Sequence, residues 1–332
     1  MKAIIYHEFG DVDVLKFEDT AEPEVGDNDV LVRVKASSLN SLDIRLRTGK
    51  SPRPVDLPHI GGVDVSGDIE KTGKNVTGMK SGDRVVINPT IQLEKGFEVL
   101  GVNRYGGFAE YVKVPAENVV LIPDNVSYDD ASTLPICYVT AYYGLFTRGS
   151  LKSGETVLIQ AAGSGTGSAA VQIAKMAGAK VIATAGSDGK LKKAKELGAD
   201  ETINYNKSEF ADEVKKVTGG KGVDLVFDQI GGSILNHNVK ALKAAGRLLL
   251  VGVVGGAFAE NVALGPIIMR DVSVLGVTVF NAPKSELGEV VKLVSEGKIK
   301  PVIDKSFPLS EAAKAQKMIE DRQQFGKVIL NP

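Results

Sequence analysis

The chain has 332 residues but a single cysteine, Cys137, so no internal disulfide can form, a usage that fits a reducing cytosol. No apolar run approaches the roughly 20 residues that a membrane-spanning helix needs. Acids and bases nearly balance, at a formal net charge of −1, and they are mixed along the chain. Nothing therefore draws the protein to nucleic acid or to an anionic membrane. The three histidines, His7, His59 and His237, are scattered and lack the spacing of metal ligands. Repeats, low-complexity tracts and long linkers are absent too. The N-terminus, MKAIIYHEFG, has one lysine and a short apolar patch. It reads as a first strand and not as a signal peptide. The expected location is cytoplasmic, and the length suggests about two domains.

What is present centres on Thr156–Gly167, TVLIQAAGSGTG. TVLIQ is a short β-branched apolar run, the pattern of a strand buried on both faces. It leads into a glycine turn and then into Ser168–Ala177, where Ala169, Ile173 and Met176 recur at helical spacing. Strand, glycine turn and helix together aim backbone N–H groups and a helix N-terminus at a phosphate. Gly163, Gly165 and Gly167 are spaced two apart, which is not a clean G-x-G-x-x-G, so the turn alone does not specify a dinucleotide. Its context does more. Lys180–Gly186 is a second strand, Lys190–Leu197 a second helix and Glu201–Tyr205 a third strand. Val223–Phe227 and Leu248–Val253 add two more apolar strand runs. This alternation predicts an α/β Rossmann domain, a doubly wound parallel sheet with the cofactor across the carboxyl ends of its strands.

The first 120 or so residues have short strands, many turns and little helix. Val30–Ala36, VLVRVKA, alternates as a half-exposed strand should; Lys80–Ile87 is a turn feeding a strand, and Gly106–Val114 is another strand. A mostly β, barrel-like domain is expected there. The tail continues with a helix (284–296), a strand (302–307), a helix (309–320) and a last strand (327–330), and is expected to return to the first domain, with an active-site cleft between the two.

End to end, the chain resembles the medium-chain dehydrogenase/reductase family. The matching segments are ASSLNSLDIRLRTG, PHIGGVDVSGDIEKTGKNV, KSGDRVV, GGFAEYVKVPAENVVLIPD, LPICYVTAYYGL, AAGSGTG and the closing GKVIL. Within the family it is most similar to the zinc-independent quinone oxidoreductases. The resemblance implies a β-rich, GroES-like catalytic domain over 1–130 and 280–332 and a Rossmann cofactor-binding domain over 131–279. It also implies a homodimer or tetramer, because the last Rossmann strand, Asp271–Phe280, often pairs with its copy in a second subunit.

The family's alcohol dehydrogenases hold a catalytic zinc with Cys, His and a later Cys. Those positions fall here on Asn40, Val63 and Cys137, and the four-cysteine lobe of a structural zinc is reduced to Asn88–Asn103, which has no cysteine. Valine cannot ligate and one thiolate cannot make a tetrahedral site, so no metal is expected. The hydroxyl relay falls on Leu42 and the histidine behind it on Arg45, which removes the proton path of an alcohol oxidation. Hydride addition to a quinone or an α,β-unsaturated carbonyl needs neither. Asn40 is expected beside the nicotinamide, bonding substrate or ribose, or else satisfying a turn. Arg45 either attracts an acidic or phosphate-bearing substrate or faces solvent. Tyr138 either donates its O–H or belongs to the core. Asp43 and Asp64 match family carboxylates in supporting roles, and Cys137 reads as a small buried residue.

For the cofactor, Gly163, Ser164, Gly165, Thr166 and Gly167 form the phosphate turn. The carboxylate that would bond an NAD ribose is replaced by Ala185. Gly186, Lys190 and Tyr205 match the residues that hold the 2′-phosphate in NADPH-dependent quinone reductases. Ser187 or Asp188 caps the helix that follows. Lys327 matches a basic residue at the pyrophosphate, or is a solvated charge. The expectation is an NADPH-dependent, zinc-independent reductase of quinones or α,β-unsaturated carbonyls acting on a small molecule. An enoyl-thioester reductase, a catalytically weak NADPH-binding sensor or stress protein, and a zinc alcohol dehydrogenase remain open alternatives.

Overall fold

The computed structural model describes residues 1–51 and 55–332. The chain divides into two compact units, Met1–Ile136 with Pro283–Pro332, and Cys137–Ala282. Among the described residues no helix is long and apolar enough to cross a membrane.

The first unit is built on strand β1 (Asp29–Ser38), which pairs antiparallel with β2 (Asp64–Thr72). On its other edge β1 pairs with β3 (Tyr111–Pro115) near its start, and near its end with the final strand of the chain, Lys327–Asn331. Val30, Val32 and Val34 point with Val65, Ile69, Val112 and Val114 into one core, as an alternating strand requires. The alternation is incomplete: Leu31 is buried as well. The strand expected from Gly106 begins only at Tyr111. Gly106, Gly107 and Phe108 instead donate their N–H groups to Ile60, Gly62 and Gly61. A helix, α1 (Ser41–Arg47), follows β1 directly, so the end of β1, the start of β2 and the last strand converge on its N-terminus.

The second unit is one six-stranded parallel sheet with helices in its crossovers. Its strands are β4 (Thr156–Ile159), β5 (Lys180–Ala185), β6 (Glu201–Asn204), β7 (Val223–Asp228), β8 (Leu242–Leu250) and β9 (Ser273–Gly276), in spatial order β6-β5-β4-β7-β8-β9. The order reverses between β4 and β7, the switch point at which open α/β sheets bind ligands. Each β-branched run is short because both faces are covered: Val157, Leu158, Ile159, Val181, Ile182, Leu225 and Val226 are all fully buried. Two expectations are corrected. The strand read at Leu248–Val253 spans Leu242–Leu250, and that read at Asp271–Phe280 is only Ser273–Gly276, with a 3₁₀ turn at Val279–Asn281.

Candidate functional site

The glycine turn leaves β4 at Gln160 and turns sharply at Ala161, which has φ +49°. The N–H of Ser164 closes the turn on the Ala161 carbonyl at 2.9 Å. Helix α2 (Gly165–Met176) starts at once, three residues earlier than the apolar periodicity indicates, because Ser164 caps it by accepting from the Gly167 N–H at 2.9 Å. The N–H groups of Gly163, Gly165 and Thr166 have no acceptor among the described residues. They stand at the positive end of a twelve-residue helix, where an anion is favoured.

Beyond β5 the chain forms the second half of the site. Ala185 ends the strand, and Ser187, not Asp188, caps α3 (Asp188–Glu196). Asp188 instead accepts from Lys207 Nζ at 2.6 Å and Asn204 Nδ2 at 2.8 Å. The Lys207 ammonium, followed by the Asn204 amide, holds its carboxyl below the usual range. Lys190 lies across Gly163, where an added Cβ would meet its Cδ at 2.8 Å, and Tyr205 lies across Gly186, whose Cβ would meet the phenol oxygen at 2.7 Å. The sequence-derived residues Gly163, Gly186, Lys190 and Tyr205 thus gather at the carboxyl ends of β4, β5 and β6. Tyr205 is 46% exposed and Lys190 half-buried.

In the first unit Asn40, Asp64 and Lys327 form one buried cluster. Lys327 Nζ donates to Leu39 O at 2.8 Å, Asn40 Oδ1 at 2.8 Å and Asp64 Oδ2 at 3.0 Å. Asp64 also accepts from Ser38 Oγ, Asn40 Nδ2 and the Ile136 N–H. An ammonium faces only acceptors and a carboxylate only donors, so the orientation of the Asn40 amide is fixed between them. Two corrections follow. Lys327 is not a solvated charge, being 3% exposed, and its ammonium is already engaged by this cluster. Asn40 is bound inside the unit at both ends of its amide, which leaves the substrate or ribose bond expected of it without a spare N–H. A buried ion pair of this kind is tolerated because every partner is hydrogen-bonded; removing one member leaves an uncompensated charge, at about 3–5 kcal/mol.

Asp43, also buried, accepts from the Asn40 N–H at 2.7 Å and from the Gly62 N–H at 3.3 Å. Burial pushes its carboxyl up to about 7 against those two bonds and the Lys327 charge. Arg45 is half-buried and its guanidinium makes no ion pair among the described residues. The arginine that the sequence reading missed is Arg47, wholly buried and paired with Glu320. Its partner lies 273 positions away, so no local spacing signalled the pair. Tyr138 is fully buried, with its hydroxyl 3.4 Å from Gln172 Nε2, and Cys137 is buried and in no disulfide.

These donors do not fit a zinc ion. Val63 is a buried hydrocarbon, Asn40 and Asp64 are saturated by Lys327, and among the described residues no three His, Cys, Asp or Glu side chains are grouped to hold a metal.

Family models match both units: an alcohol dehydrogenase GroES-like domain over residues 26–124 and a zinc-binding dehydrogenase over 165–296. Quinone oxidoreductase from Homo sapiens is 32% identical over 338 residues, covering 99% of this chain and 97% of that protein. A solved structure described as an NAD-dependent alcohol dehydrogenase is 38% identical at a TM-score of 0.95, covering all of both chains. The quinone oxidoreductase of Pseudomonas syringae is 32% identical at a TM-score of 0.87, covering 100% of this chain and 99% of that one. A mycobacterial protein solved with NADPH is 29% identical at the same TM-score over the full length of both chains. With the GroES-like and parallel-sheet units joined in one chain and this likeness running its whole length, the protein belongs to the medium-chain dehydrogenase/reductase family.

Proposed function

We propose that the protein is an NADPH-dependent reductase that works without zinc and passes a hydride to a quinone or an α,β-unsaturated carbonyl. The observation that carries the reading is the state of two positions where zinc-dependent relatives need ligands: Asn40 is hydrogen-bonded to Asp64 and Lys327, and Val63 is a buried hydrocarbon. When bound, a nicotinamide would supply the hydride. The oxygen of a conjugated acceptor then gains negative charge, which hydrogen-bond donors and a solvent proton can meet without a Lewis acid. Gly163, Gly165 and Thr166 would hold the pyrophosphate through backbone N–H groups, in a turn whose shape Ser164 and Gly167 set by their own hydrogen bonds. Lys190 and Tyr205, with Gly186 and Ser187, would take the 2′-phosphate. Ala185 supports this choice because it offers no carboxylate to a ribose 2′-hydroxyl. Arg45, unpaired among the described residues, would attract an anionic group on the acceptor. Asn40 would act only through its cluster with Asp64 and Lys327, and the buried Tyr138 only through packing within its own unit.

A second reading, an NADH-linked alcohol dehydrogenase, is favoured by the 38% identical structure described as NAD-dependent. One assay separates them. In chelator-treated buffer, a simple quinone and a simple enone are offered separately with NADPH or NADH, and a panel of alcohols with NAD or NADP. Turnover of either acceptor that prefers NADPH is the expected result. Alcohol oxidation with NAD, or a requirement for added zinc, would overturn it.

A further inference from the structure

Behind the glycine turn lies a chain of buried side chains that carry polar atoms without charge. Gln160, Thr184, Gln229 and Asn238 are all at most 8% exposed, a depth at which polar groups are costly unless hydrogen-bonded. Thr184 Oγ donates to Gln160 Oε1 at 2.5 Å and accepts from the Ala161 N–H at 3.3 Å. Gln160 Nε2 donates to Asn238 Oδ1 at 2.8 Å. Gln229 Nε2 donates to the Gln160 carbonyl at 3.0 Å, and Gln229 Oε1 accepts from Ser164 Oγ at 2.8 Å. Three strand ends, those of β4, β5 and β7, are thereby tied to one turn.

Two features of the turn depend on these bonds. Ala161 holds a left-handed conformation that a residue with a Cβ adopts at a cost of about 1–2 kcal/mol. The Thr184 hydroxyl, oriented by Gln160, fixes its N–H there. Ser164 has one hydroxyl proton, and Gln229 takes it, so that the oxygen can only accept from Gly167. The N–H groups of Gly163, Gly165 and Thr166 are left as the donors of the turn.

We propose that Thr184 and Gln229 are positioning residues for the dinucleotide pyrophosphate. They hold Ala161 and Ser164 so that the turn binds phosphate through backbone N–H groups alone and the Ser164 hydroxyl is withheld. This rests on the nucleotide-binding reading above. The test measures, by calorimetry on the full chain, the Kd of whichever of NADPH and NADH the wild type binds more tightly, together with the melting temperature of each variant.

Thr184→Val keeps the shape and removes the hydroxyl, and should weaken nucleotide binding about tenfold, the loss of roughly one hydrogen bond's worth of turn alignment. Thr184→Ser restores the hydroxyl and should return affinity to within about twofold of wild type. Gln229→Leu, which releases Ser164 from the opposite side, should weaken binding by a similar factor and serves if the valine variant does not fold. In variants that turn over substrate, the KM for the nucleotide should rise with kcat nearly unchanged, a split that general loss of stability does not produce. Folded Thr184→Val or Gln229→Leu protein that binds nucleotide as tightly as wild type overturns the inference. Wild type that binds neither nucleotide overturns the reading on which it rests, and the two failures are thus distinguished.

Discussion

Asp43 shows how one buried carboxyl is set by competing effects. Removal from water raises its pKa, whereas the Asn40 and Gly62 N–H groups and the Lys327 charge lower it, and burial prevails at about 7. The unfolded chain ionises this group near 3.9. Between those values the folded state binds the proton that the unfolded state has lost, so stability falls as pH rises. The contribution is fully present below about pH 4 and is lost as pH rises through about 7, an effect of up to about 4 kcal/mol. Asp43→Asn abolishes the titration. The stability of wild type minus that of the variant, from urea unfolding, is expected to decline across this window. Asp228, pushed up to about 6 by burial, titrates in both proteins and cancels in the difference. Parallel curves for the two proteins would contradict the assignment.

At the scale of elements, the strand–turn–helix unit has the least tolerance. Helix α2 packs so close to the turn that a Cβ on Gly167 would lie 2.2 Å from the Ala161 carbonyl oxygen. Backbone on both sides leaves no flexible group to yield, so Gly167→Ala is expected to destabilise the protein by about 1–3 kcal/mol and to weaken nucleotide binding. Thermal unfolding and a nucleotide titration measure the two effects; an alanine variant matching wild type in both would show that the turn can open. This element was largely legible in the sequence. A β-branched run, three glycines and a small-residue helix are local signals, and Ser164 as a cap belongs to the same local chemistry. The short length of β9 was not legible, because the apolar run Asp271–Phe280 looks like a strand while only Ser273–Gly276 finds a partner in β8.

For the whole molecule, the expected association with a second copy has a physical basis in the Cys137–Ala282 unit. Strand β9 ends the sheet, with one edge unpaired among the described residues. Nearby in sequence, Phe258, Leu264, Ile268 and Met269 are 89%, 62%, 69% and 82% exposed. An open apolar edge is a site for pairing or aggregation unless it is covered. A homodimer is the proposed cover, and Met269→Glu with Ile268→Lys is expected to shift the mass measured by light scattering to that of a monomer. A wild type that is itself monomeric would refute it.

By itself the sequence determined the two kinds of unit, the parallel α/β order and the phosphate turn, because periodicity and turn chemistry are written in neighbouring residues. Tertiary structure decided the roles of Asn40, Lys327 and Arg47. Asn40 and Lys327 are 287 positions apart, and Arg47 and Glu320 are 273 apart. Nothing local distinguishes a lysine that will be buried from one that will face water. That choice is made only when the last strand closes on β1 and brings Asp64 within reach, since a charge leaves water only where a partner is already waiting.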